Sequence, residues 1–93
     1  MLTQKSIKLK SGAILSAGLP VEFDQDNPSI CLVHDGDAIR RVRVSSAFER
    51  PTMEDLEEQI NDGVCSSVGG NSVEPDGWDF EGTPSWLLVL GMI

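Results

Sequence analysis

Arg50-Pro51-Thr52-Met53-Glu54-Asp55-Leu56-Glu57-Glu58-Gln59-Ile60-Asn61-Asp62-Gly63 is where the apolar spacing of this chain changes, and the change decides the fold class. Met53, Leu56 and Ile60 fall on one helical stripe, while Glu54, Asp55, Glu57 and Glu58 cover the rest of the surface. Thr52 has a hydroxyl that can accept a hydrogen bond from the first turn, and Glu54 and Asp55 suit the positive end of the helix dipole. Asp62-Gly63 ends the pattern. The spacing predicts an acidic amphipathic helix over residues 52–62.

Upstream the period is two. Ile7 and Leu9 alternate with Lys8 and Lys10, Ala13 to Ala17 is a second run, and Leu19, Val21 and Phe23 alternate with Pro20 and Glu22. Asp24 to Pro28 is turn chemistry. Ser29 to Asp35 and Ala38 to Val44 then flank Asp35-Gly36-Asp37, the signature of a β-hairpin. Residues 1–48 are therefore expected to be β-rich, with five short strands in a strongly bent antiparallel sheet or a barrel-like arrangement.

Downstream, Val64 to Val68 reads as a short strand or a further helical turn, and Gly69-Gly70-Asn71 breaks it. Glu74 to Gly82 reads as a loop. Thr83-Pro84 resembles a cap followed by Pro at the first helical position, and Gly91 a stop. Residues 83–91 are expected to form a helix or a strand. Trp86 to Leu90 is apolar on every side, so it must pack on the sheet or against another chain. Ninety-three residues are expected to form one α+β domain, residues 1–93. The longest apolar run is far below the ~18 residues of a membrane span. The first residues lack the continuous apolar core of a signal peptide, so the expected compartment is the cytoplasm. Cys31 and Cys65 are then expected as free thiols.

Charge is lopsided. The net charge is -8. All seven Lys and Arg lie in the first fifty residues, and the remainder holds nine acids and neither Lys nor Arg. Such a field attracts basic surfaces and repels phosphate backbones.

Most chemistry is disfavoured. His34 is the only histidine, and on a strand it points away from Cys31, three residues earlier. Three Cys or His side chains in all fall short of a structural zinc site. Ser72-Val73-Glu74-Pro75-Asp76-Gly77 spaces oxygens as the start of a calcium loop does, but Thr83 stands where a closing carboxylate should be. No glycine-rich loop carries the Lys and Ser/Thr that hold a nucleotide. No catalytic residue, metal or cofactor is expected.

Two binding surfaces remain. The acidic surface offers Glu54, Asp55, Glu57, Glu58, Asp76, Trp78 and Asp79 as contacts to a basic partner protein, in the manner of a nucleic-acid mimic. The alternative is a small barrel that binds nucleic acid or nucleotide through Lys8, Lys10, Arg41 and Arg43 on the outer face of the N-terminal sheet. A third arrangement is an assembly subunit whose Trp86 to Ile93 packs between copies.

Val73-Glu74-Pro75-Asp76-Gly77 and Pro84-Ser85-Trp86-Leu87-Leu88-Val89-Leu90-Gly91 resemble the C-terminal part of small uncharacterised proteins of bacteriophages and prophages. The resemblance covers about the last quarter of the chain and supplies no catalytic residues. It implies a context: small acidic phage proteins often bind and disable host machinery, including CRISPR and other defence nucleases. A host cytoplasmic partner follows from it.

Overall fold

The computed structural model describes all 93 residues. It is a small α+β structure with seven strands and three helices. The chain divides into two compact units, Met1–Glu49 and Arg50–Ile93. No helix is long and apolar enough to cross a membrane.

In the first unit the expected five strands form, but they sort into two sheets and close no barrel. β1 (Ile7–Lys8) pairs antiparallel with β2 (Ile14–Leu15) alone. β3 (Val21–Phe23), β4 (Ile30–Asp35) and β5 (Ala38–Arg43) make a separate antiparallel sheet in that order. Asp35 pairs with Ala38, so Gly36-Asp37 is the two-residue turn of the expected hairpin. Alternation places Cys31, Val33 and Val42 in the core, and the ring of Phe23 lies 5.7 Å from that of Phe48. β5 stops at Arg43, one residue earlier than the apolar pattern suggests. Val44–Ala47 forms a single helical turn, α1, which buries Val44 and Ala47. That turn also lets the Ala47 carbonyl accept from the N–H groups of Gln4 and Lys5, tying down the N-terminal segment.

The second unit opens with α2 (Met53–Asp62). The Asp55 N–H donates to Thr52 Oγ1 at 3.1 Å, and Leu56 is fully buried. Gly63 ends the helix at φ 72°, a left-handed conformation that a Cβ would oppose. Gln59 joins α2 to the next strand, donating to Ser66 Oγ and accepting from the Ser66 N–H. β6 (Cys65–Ser66) pairs with β7 (Ser72–Val73), which settles Val64 to Val68 as strand and turn.

At the C-terminus the apolar segment is helical: α3 spans Trp86–Val89, with Trp86, Leu87 and Val89 buried within the chain. Its cap is Ser85, whose Oγ accepts from the Leu88 N–H, two residues beyond the expected Thr83. Thr83 is unavailable to cap because its hydroxyl is held elsewhere, as described below. Gly91 closes the helix as expected, with the Met92 N–H reaching back to the Leu87 carbonyl.

Candidate functional site

The most organised side-chain cluster of the second unit lies in a segment that reads as loop. Trp78 and Pro84 face each other in a β-bridge, the Asp79 N–H donates to the Thr83 carbonyl, and the Gly82 N–H donates to the Asp79 carbonyl. Residues 78–84 are therefore a small hairpin with Phe80, Glu81 and Gly82 at its tip. Asp79 holds it from inside. Its Oδ1 accepts from the N–H groups of Glu81 (3.0 Å) and Thr83 (2.9 Å). Its Oδ2 accepts from Ser67 Oγ (2.6 Å), Thr83 Oγ1 (2.7 Å) and Asn71 Nδ2 (2.9 Å).

Two of these donors are relays. Ser67 Oγ itself accepts from the Asn71 N–H, and Thr83 Oγ1 from the Gly69 N–H. One carboxylate thus ties the hairpin to the 67–71 turn through the hydroxyls of two residues that are each 1% exposed. Burial pushes the Asp79 carboxyl up, but the hydrogen bonds from Asn71, Ser67 and Thr83 outweigh it and hold the group well below the usual carboxylate range. The packing is close. A Cβ on Gly69 would sit 2.9 Å from Glu81 Oε2 and 3.0 Å from both Asp79 Oδ2 and Thr83 Oγ1.

Beside this hairpin opens a cleft of about 490 Å³, walled by Val73, Glu74, Gly77, Trp78, Asp79 and Phe80 among others. Trp78 is half-buried in its wall. Phe80 is 88% exposed, although the turn that carries it is closed by backbone bonds between Asp79 and Gly82 and Thr83 and by the Asp79 carboxylate.

The expected partner contacts fall into two groups. Glu54, Asp55, Glu57 and Glu58 on α2, and Asp76 in the turn after β7, are exposed. Asp62, Glu74 and Glu81 are exposed as well. Asp79 differs: both its oxygens are committed inside the unit, which makes it a brace for the site and not a free carboxylate. No Lys or Arg pairs with any carboxylate; the single ion pair of the chain is His34 Nε2 with Glu22 Oε1 at 3.4 Å.

Among the basic candidates, Arg41 and Arg43 are exposed on β5 and share the face opposite buried Val42. Lys8 is exposed on β1 and Lys10 lies in the turn beyond it. The four do not form a stripe on one sheet, because β1 pairs only with β2. Cys31 is buried on the inner face of β4 while His34, half-exposed, reaches Glu22. Burial pushes the Cys31 thiol up to about 11 and raises that of Cys65 too, so neither is poised as a thiolate. No three His, Cys, Asp or Glu side chains converge as a metal site would need.

The convergence of Ser67, Asn71 and Thr83 on Asp79 escaped the sequence reading, as did the exposure of Phe80. The available signal was local: Asp79 followed by Gly82-Thr83 is turn chemistry, and a lone Phe between Asp79 and Glu81 has little to pack on. No family model, curated protein or solved structure matches the chain.

Proposed function

We propose that this chain is a non-enzymatic binding protein whose Arg50–Ile93 unit engages a basic surface of a partner protein. The observation that carries this reading is the lack of internal compensation. Eight of that unit's nine acids are exposed, and none is within salt-bridge distance of a Lys or Arg. The helix makes the point locally. Glu54 with Glu58, and Glu58 with Asp62, are like charges four residues apart, each pair costing about 0.2–0.5 kcal/mol. The last turn has no base to complement the dipole. An external cationic surface would relieve these repulsions. In the phage context that the C-terminal resemblance implies, the partner is a host cytoplasmic protein built to hold nucleic acid, and the acids stand in for phosphates.

The test is capture of partners from bacterial lysate by the full chain and by a Glu57→Lys/Glu58→Lys variant. The reading expects a discrete protein that elutes with salt and is lost by the variant. Retention of the same protein by the variant contradicts it. A second reading, nucleic-acid binding, draws support from Arg41 and Arg43 exposed side by side on one sheet face. Polarisation with short labelled DNA and RNA at low salt distinguishes it, because phosphate binding must weaken steeply as salt rises.

A further inference from the structure

We infer that the cleft beside the 78–84 hairpin binds the side chain of an arginine within a basic peptide segment, stacking its guanidinium on Trp78 and Phe80 and pairing it with Glu74. The inference rests on the acidic-surface reading above and names the place where it becomes specific. Three observations converge. Phe80 is 88% exposed on a turn whose backbone is held by five hydrogen bonds to Asp79, so its ring is presented to water from a fixed backbone position. An aromatic ring held in solvent gains from a flat partner. The cleft, at about 490 Å³, is a shallow depression open to solvent, with room for one long side chain along the half-buried Trp78.

Charge then selects the occupant. Of the two carboxylates in the wall, Asp79 has both oxygens occupied by internal donors, whereas the exposed Glu74 side chain has no hydrogen-bond or ionic partner within the chain. One free carboxylate beside two aromatic side chains suits a guanidinium. That group is planar, weakly hydrated, stacks on aromatic rings and forks onto a carboxylate. A lysine ammonium is a compact, strongly hydrated charge and gains less from the ring faces. A neutral apolar side chain would leave Glu74 without a partner, and the surrounding acids would not draw it in.

The experiment uses the full chain and two fluorescein-labelled twelve-residue peptides, one arginine-rich and the other identical with every Arg changed to Lys. Binding is read by polarisation for the unsubstituted protein, Phe80→Ala, Glu74→Gln and Glu57→Lys/Glu58→Lys. Phe80 is almost wholly in solvent, so Phe80→Ala should keep its fold, checked by an unchanged thermal melt.

We expect the arginine peptide to be preferred about tenfold. Phe80→Ala should abolish that preference, Glu74→Gln should weaken the arginine peptide selectively, and the helix variant should weaken both peptides alike. If the unsubstituted chain binds neither peptide, the acidic-surface reading falls and the cleft inference with it. If it binds both equally and Phe80→Ala changes neither, the cleft inference alone is overturned.

Discussion

Replacing Asp79 with Ala strips the acceptor from five donors at once. The two hydroxyls, of Ser67 and Thr83, belong to residues 1% exposed, and each already accepts a backbone N–H. Neither can turn to water. The Thr83 N–H is enclosed with them, whereas the Glu81 N–H and the Asn71 amide lie nearer solvent and can be rehydrated. A buried donor left without a partner costs about 1–3 kcal/mol, and three such donors in one network do not add fully. The expected loss is about 3–5 kcal/mol, a large share of the ~5–15 kcal/mol that holds a small protein together.

Urea unfolding followed by tryptophan fluorescence measures it, since Trp86 is buried in this unit. Asp79→Asn should lose less, because Oδ1 can still serve the two N–H groups, although the Ser67 and Thr83 hydroxyls lose their acceptor and the Asn71 amide meets a second donor. The same pair of proteins tests the charge. The native carboxyl titrates below an ordinary Asp, so in acid the unfolded chain takes up a proton that the native state refuses. The contribution is complete above about pH 5 and fades as pH falls through about 4 and lower, toward the native titration. The stability gap between unsubstituted protein and Asp79→Asn must therefore close on acidification. A loss under about 1 kcal/mol for Asp79→Ala, or a gap that does not change with acid, would refute the brace.

Other consequences can be checked on the same preparations. Gly69→Ala drives a methyl into Asp79 Oδ2 and Thr83 Oγ1, both pinned, and should cost about 1–3 kcal/mol in urea melts. Its effect should be far from additive with Asp79→Ala in a double-mutant cycle. Thr52→Ala removes the α2 cap and should cost about 1 kcal/mol, with helical circular dichroism lost first at that end. Cys31 and Cys65 should resist a thiol reagent at mildly alkaline pH until denaturant is added, because both are buried and their thiols are pushed up. Rapid labelling of either in the native protein would show the core to be open.

What the sequence made legible follows the range over which each signal acts. The α2 helix is written within a dozen residues: its apolar stripe, Thr52 and Gly63 are all local, and the helix lies where they place it. The β4–β5 hairpin is equally local. Which strands share a sheet is not. Alternation at Ile7 and at Val42 says which face is buried but names no neighbour, so the five strands sorted into two sheets against the expectation of one bent sheet or a barrel. The α3 cap slipped from Thr83 to Ser85 for a long-range reason. Asp79, four residues earlier, and Gly69, fourteen residues earlier, both claim the Thr83 hydroxyl. Asp79 was misjudged for the same reason, because its donors at 67, 71 and 83 meet only after β6, β7 and the 78–84 hairpin have paired.

That misjudgement changes how the acidity of the second unit should be read. Under the proposed binding reading the eight exposed acids would set the long-range attraction, and substituting them should alter association rate and its salt dependence, as charges at a rim do. The ninth sets geometry. Ordering a backbone residue costs roughly 1–2 kcal/mol, so a slack turn at residues 79–83 would lose much of any binding energy in fixing Phe80. Asp79 closes that turn within the chain, so under the same reading the loss would be met before any partner is engaged. The milder Asp79→Asn, compared at a temperature where its melt shows it folded, should therefore leave encounter nearly unchanged while shortening the lifetime of a complex, the opposite signature to Glu57→Lys. Division of labour between outward and inward carboxylates is a physical claim that association and dissociation rates can separate, and net charge alone would never reveal it.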